Sequence, residues 1–565
     1  MTEWNLKNSL NCLMPPIIYS NNKTQEDVTN EIIETFKTHD VVTVKGGVGS
    51  GKSVIALHLV SHYGSGIIVV PTKILERQYV DDYCGNKYHF DMGGQHFPIH
   101  FMFGKGNFNC RFSGNSQCTD PDMPCNQKLS HDESRVSVAS RCEYWSPIYP
   151  LGLADRIEEH LPDHTQNKYH SVTGDKIFFK SPNPCDYYDQ FSCYGMPGAI
   201  VMNLAKWEAE TWIGRKPLTP VEVIDEGDMF LDGLSYRKTI TPRTFTSLKA
   251  EGLVDTETIN SLQNDFVNCL RENRGYEGLL NESITTFLTN FVSEMDEEGG
   301  MITNIVTTIN LILQYSNMAY AQIEGESMTI FLSRRDIVFS ELKKRSGKIL
   351  LMSATMQTPS IFTSVFKFGS IPLVEAEPHF PGTMNIMYTQ ESINIQYQNW
   401  ANEAVQKKYF KVLDDIIKVA EKPTLVQVHA MKYVPPDYKE LLNKGFINNV
   451  SWSTVTDRGI DLADDKCRSI VITKFPLPNI SDIVFRVLRQ TLGDQIFWQY
   501  MRDMANRDLI QQCGRAIRHK NDWCQVWSPD EQVMPAIHAL WKGTKNIIRI
   551  YSLANYKNGE KQDAF

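Results

Sequence analysis

Val41-Val42-Thr43-Val44-Lys45-Gly46-Gly47-Val48-Gly49-Ser50-Gly51-Lys52-Ser53, followed by the apolar run Val54 to Val60, decides how this 565-residue chain reads. An apolar strand enters the spacing G-x-x-x-x-G-K-S and a helix leaves it, which is the full context of a phosphate loop. Gly46, Gly49 and Gly51 let backbone N–H groups turn inward around phosphates. Lys52 is expected to neutralise the β- and γ-phosphates of ATP, and the Ser53 hydroxyl to ligate Mg2+. The bland alternative is a glycine-rich turn with an incidental lysine; the flanks and the later motifs weigh against it.

Working outward, the strand Ile67 to Val70 ends at Pro71-Thr72-Lys73, Val221 to Ile224 ends at Asp225-Glu226, and Ile349 to Met352 ends at Ser353-Ala354-Thr355. Short β-rich runs that end in polar residues and lead into helices predict an α/β, parallel, doubly wound sheet. Ligands bind such sheets at the carboxyl edge, where these polar residues fall. Thr424 to Val428, Ser469 to Thr473 and Cys524 to Trp527 repeat the pattern, which predicts a second sheet domain. Residues 101–198 are rich in cysteine, proline and glycine with little periodicity, and 235–330 read as helical from the spacing in Ile259 to Leu270 and Ile302 to Ile312. The expected organisation is a first domain in three parts (1–100, 199–234 and 331–378), two insertions (101–198 and 235–330), and a second domain over 379–565.

Asp225-Glu226 closes a buried strand as a second magnesium motif requires. Asp225 is expected to hold the metal through water, and Glu226 to orient and deprotonate the attacking water. Near the far end, Gln511-Gln512-Cys513-Gly514-Arg515-Ala516-Ile517-Arg518 sets two arginines three apart, expected on one helical face and able to stabilise charge on a departing phosphate. Gln511 belongs to the same signature, and Gly459-Ile460-Asp461 is expected to line the same cleft. Solvated helix arginines and a plain turn are the alternatives for these two segments.

A net charge of −9 excludes a surface coated in positive charge, though not a basic groove. Met1 to Pro16 lacks the apolar core of a secretory signal, and no apolar run approaches the roughly 18 residues that cross a bilayer. The expected setting is cytoplasmic, at a nucleoid or a viral replication site in a host cell, where thiols stay reduced. Of the 12 cysteines, six fall between Cys110 and Cys193: Cys110, Cys118, Cys125, Cys142, Cys185 and Cys193. None has the C-x-x-C spacing of a zinc ribbon. Wide spacing suits an iron–sulfur cluster held from separate loops; free thiols and zinc are the alternatives.

Taken in order, these motifs resemble the superfamily 2 helicases, and within them the XPD/DinG iron–sulfur family. The resemblance runs through Gln25, the phosphate loop, Pro71-Thr72-Lys73, Asp225-Glu226, Ser353-Ala354-Thr355, Phe380-Pro381, Gly459-Ile460-Asp461, Phe475-Pro476 and Gln511 to Arg518. It implies two RecA-like motor domains, a 4Fe–4S cluster in the first insertion and a helical arch in the second. It also implies Cys110, Cys125, Cys142 and Cys185 as cluster ligands, with Cys118 and Cys193 in reserve. Gln25, Gly459 and Asp461 fall at its nucleotide positions. The activity it implies is ATP-driven 5′-to-3′ movement on single-stranded DNA and unwinding of forks by a monomer, in repair or replication, with the cluster domain as strand-separating wedge. Two departures stand out: Asp228 replaces the family's histidine in Asp225-Glu226-Gly227-Asp228, and Arg458 replaces a glutamate. The compact form suggests a viral or mobile-element version. The competing readings are a translocase or annealing remodeller with weak unwinding, and an ATP-switched nucleic-acid-binding scaffold.

Overall fold

The computed structural model describes residues 3–47, 49–84, 87–92, 95–127, 135–251, 254–295, 300–377, 382–454, 462, 464–517 and 519–556. The chain divides into two compact units, one of residues 1–3, 15–55 and 351–565, the other of residues 4–14 and 56–350. Arg458, Gly459, Ile460, Asp461, Arg518 and the Phe380-Pro381 pair lie outside the described residues.

In the first unit, the strand Val41–Lys45 buries Val42, Thr43 and Val44 and pairs in parallel with Leu373–Glu375. A seven-stranded sheet follows in the order Phe446–Ile447, Val450–Ser453, Thr424–Gln427, Ser469–Ile472, Trp523–Trp527, Thr383–Thr389, Thr544–Ile550. It is parallel except at the Phe446–Ile447 edge. Successive strand residues face opposite sides. Val426 and Val471 therefore pack against the helix Glu403–Val419, through Tyr409, Val412, Leu413 and Ile416. Leu425, Ile470 and Ile472 face the helices Asp494–Cys513 and Val533–Leu540 instead. Both faces are covered, which is why apolar residues occupy both sides of its inner strands.

In the second unit, Val221–Asp225, Ser65–Val70, Gly198–Asn203 and Ile99–Met102 form a parallel set in that order. The 101–198 segment has more regular structure than its sequence suggested: Ile148–Pro150, Gly174–Lys180 and Thr165–Ser171 make an antiparallel sheet. Polar residues fill the exposed positions of Thr165–Ser171, so no apolar alternation marked it. The 235–330 segment carries strands beside the helices its sequence suggested. Its helices Pro242–Glu251, Thr256–Glu272, Glu282–Glu294 and Gly300–Gln314 are joined by a four-stranded antiparallel sheet of Tyr236–Ile240, Ser327–Leu332, Tyr320–Glu324 and Glu277–Leu279. Asp255 and Asn281 cap two of the helices, and Phe266 meets Phe287 at 5.6 Å between ring centres. Among the described residues, no helix is long and apolar enough to cross a membrane.

Candidate nucleotide site and cysteine cluster

The strand Val41–Lys45 delivers Gly46 and Gly47 into the loop, and the helix Lys52–Tyr63 starts at its end. Gly49 and Gly51 adopt φ of 78° and 70°, a region open to glycine at little cost. The Gly46 amide donates to the Ser353 carbonyl at 3.1 Å and the Gly47 amide to the Glu377 carbonyl at 3.0 Å. Lys52 and Ser53 are half-buried, and Lys52 Nζ donates back to the Gly46 carbonyl at 3.4 Å. Gln25 is buried: its Oε1 accepts the Ile17 amide at 3.0 Å and its Nε2 donates to the Gly51 carbonyl at 3.2 Å.

Ser353 and Thr355 connect this loop to the second signature. Thr355 N–H donates to Ser353 Oγ at 3.1 Å, and Gln511 Nε2 donates to Thr355 Oγ1 at 2.7 Å, all of it buried. The first unit thus joins the phosphate loop to Gln511 through one run of hydrogen bonds. Arg515 is buried in the same unit and its carbonyl accepts the Leu462 amide at 3.3 Å. Its expected place on a helical face is corrected. The α-helix ends at Cys513, Gly514–Ala516 is a short 3-10 turn, and Ile517 is extended at φ −133°. Gly514, a poor helix former, sits at the break.

In the second unit, Asp225 ends its strand and Glu226 caps the helix Gly227–Gly233 from a left-handed backbone, φ 52° and ψ 47°. That conformation costs a non-glycine residue about 1 kcal/mol and turns the side chain out of the strand direction. The Glu226 amide is satisfied by Asp225 Oδ1 at 3.0 Å, and Asp228 is fully buried. Thr72 caps the helix Lys73–Tyr83, leaving Lys73, Arg77 and Gln78 exposed on it. On the same helix Glu76 is completely buried, a placement the sequence did not signal. Burial pushes its carboxyl up to about 7, only partly offset by the Asn203 amide at 2.9 Å.

The cysteines reach the cluster region from several turns. Cys110 and Cys118 lie on a loop tied by Cys110 N–H to Ser116 O at 2.7 Å and Cys118 N–H to Phe108 O at 2.9 Å. Cys142 follows the helix Arg135–Ala139, and Cys185 precedes the helix Asp186–Asp189. Cys110, Cys125 and Cys185 are near enough to Cys142 to disfavour its thiolate, which burial above all pushes up to about 11. The same three neighbour Cys118, whose thiol burial pushes up to about 12, with Lys105 opposing. Five thiols therefore share one neighbourhood. Cys193 stands apart from it, its thiol directed to Met102 Sδ at 3.8 Å. Among the described residues, no three of these thiols lie within 4.8 Å of one another; the Asp464, His519 and Asp522 ligand atoms alone do so. Thiols arriving from several loops are the kind of donor an iron–sulfur group takes. Trp145 and Tyr187 are buried in this module and serve as its core. Phe112, on the Cys110–Cys118 loop, is 48% exposed.

Residues 394–540 match the helicase C-terminal domain family. A stretch of 85 residues, 13% of this chain, is 31% identical to the ATP-dependent DNA helicase CHL1 of Saccharomyces cerevisiae and spans 10% of that protein. Among solved structures, the fold matches XPD_Helicase with a TM-score of 0.56 and 14% identity, over 93% of this chain and 99% of that one. It also matches Xpd4 of S. tokodaii with a TM-score of 0.50 and 13% identity, over 92% of this chain and 99% of that one. Residues 394–540 thus match a helicase C-terminal domain, and the fold is similar to that of the XPD structures.

Proposed function

We propose that the chain is an ATP-driven motor that moves 5′-to-3′ on single-stranded DNA and unwinds duplex at forks. The observation that supports this reading is the hydrogen-bonded run from Gly46 through Ser353 and Thr355 to Gln511, which links the glycine loop to the Gln511 signature. In the reaction, Lys52 and the loop amides would hold the triphosphate, and Ser53 and Asp225 are the residues that would hold Mg2+, which would offset phosphate charge. Glu226 takes a proton from water as its oxygen bonds to the γ-phosphorus; the bond to the bridging oxygen breaks and ADP leaves. Arg515 and Arg518 offset charge on the departing group. Exposed Lys73 and Arg77 suit phosphate contacts that are independent of base sequence.

Cys110, Cys125, Cys142 and Cys185 are the proposed ligands of a 4Fe–4S cluster, with Cys118 the substitute its position favours. When bound, the group supplies a rigid brace for loops too polar to pack alone. Cys185→Ser is expected to remove the iron and the visible colour and to abolish fork unwinding, while DNA-stimulated ATP hydrolysis persists. Unchanged iron content and unwinding would take Cys185 out of the set. A second reading, translocation or annealing with weak unwinding, draws on the buried Asp228 where the family has histidine. A fork substrate assayed beside Glu226→Gln separates the two: hydrolysis without strand separation selects the second.

A further inference from the structure

The segment before the first helix wraps the outer side of the phosphate loop. Tyr19, 3% exposed, donates its hydroxyl to the Ser50 carbonyl at 2.8 Å. Next to it, the Ser20 amide donates to Glu377 Oε2 at 2.9 Å, and Asn21 Nδ2 donates to the Ala376 carbonyl at 3.0 Å. Glu377 in turn gives its carbonyl to Gly47. Gln25 holds the Gly51 carbonyl, and the contact requires glycine there: a Cβ on Gly51 would come within 2.3 Å of Gln25 Nε2. Two consecutive carbonyls of the loop are thus held from outside.

In a planar trans peptide, the C=O of one residue and the N–H of the next point in opposite directions. Holding the Ser50 carbonyl outward therefore aims the Gly51 N–H inward, and holding the Gly51 carbonyl outward aims the Lys52 N–H inward. Among the described residues, neither amide has an acceptor within the protein. Both stand at the start of the helix Lys52–Tyr63, where an anion is favoured.

We propose that Tyr19 is a positioning residue for the phosphate loop: by pinning the Ser50 carbonyl it presets the Gly51 amide to receive a phosphate oxygen. The inference rests on the ATP-binding reading above. It assigns Tyr19 a role indifferent to the base, because what it orients touches only phosphate. Gln25, its amide engaged on both sides by Ile17 and Gly51, acts the same way and not as a reader of adenine.

Tyr19→Phe removes the donor and keeps the ring. Binding of ATP, GTP and inorganic tripolyphosphate by the full-length protein, with Lys52→Ala alongside, tests the idea by calorimetry. The expected result is an equal loss of about 3- to 10-fold for all three ligands, one ordinary hydrogen bond's worth, with a raised KM for ATP and little change in kcat. Loss confined to ATP, or no loss, overturns the assignment while leaving the ATP site intact, provided Lys52→Ala loses binding. If the wild type binds no triphosphate, or Lys52→Ala binds as well as wild type, the ATP reading falls and this inference with it.

Discussion

Glu76 has a carboxyl whose surroundings override its place in the sequence. Its spacing on the helix Lys73–Tyr83 puts it beside Asn203, with Lys73 and Lys206 as the nearest charges, and burial raises its carboxyl from 4.5 to about 7. The unfolded chain ionises this group near 4.5 while the folded one keeps its proton, so stability falls as pH climbs from about 4.5 to about 7. Glu76→Gln retains an acceptor for Asn203 and cannot ionise. It should stabilise the protein by about 1–3 kcal/mol at pH 8 and by little at pH 4.5. Urea unfolding at both values checks this; a gain independent of pH would mean the carboxyl is not held neutral. Nothing in Lys73-Ile74-Leu75-Glu76-Arg77-Gln78 announces it, because a charged residue between charged neighbours reads as a solvated face. The turn at Gly49 and Gly51 and the helix start at Lys52, by contrast, were legible, because glycine spacing before an apolar helical run is a local signal.

The helix Leu204–Trp212 carries Lys206 and Glu210 four apart, which reads as an exposed pair worth a few tenths of a kcal/mol. The fold buries both. Lys206 Nζ reaches Glu210 at 2.9 Å and lies 4.8 Å from the Phe191 ring centre, while Arg215 closes on Glu210 at 2.7 Å. Tyr169 donates to the Arg215 carbonyl at 2.8 Å, so the hairpin of the cysteine-rich segment is fastened to the same group. Burial drives the Glu210 carboxyl up, but Arg215 and Lys206 more than offset it and hold it at about 2. A depressed carboxyl contributes stability above about 4.5 that is lost as pH falls toward 2. Glu210→Ala leaves two cations buried without their partner and should cost about 3–5 kcal/mol at pH 7. The cost should shrink toward pH 3, where wild type has begun to lose the same term. Thermal unfolding of both proteins across that range measures it; a penalty that does not change with pH would reduce the cluster to simple packing.

The two parallel sheets were legible because buried parallel strands are rich in apolar residues, and half or more of each of Val41–Lys45, Ser65–Val70, Val221–Asp225, Thr424–Gln427 and Ser469–Ile472 is apolar. The antiparallel sheets of the insertions were not, since one polar face erases the run. The neighbourhood of five thiols and the exclusion of Cys193 depend on loop paths that spacing alone does not encode. What joins the motifs is a hydrogen-bonded route that no pattern match contains: Gly46 to Ser353, Ser353 to Thr355, Thr355 to Gln511. If that route couples the nucleotide to the second sheet, cutting it should spare binding and impair turnover. Thr355→Val keeps the shape and removes the acceptor, leaving the buried Gln511 amide short of a partner, at about 1–3 kcal/mol. Spent on the closed, hydrolysing state, such a loss lowers DNA-stimulated ATP hydrolysis about 10-fold or more while the tripolyphosphate affinity stays within about 2-fold of wild type. Equal losses in binding and turnover would instead place Thr355 in the grip on phosphate, and unchanged turnover would leave the route a structural brace.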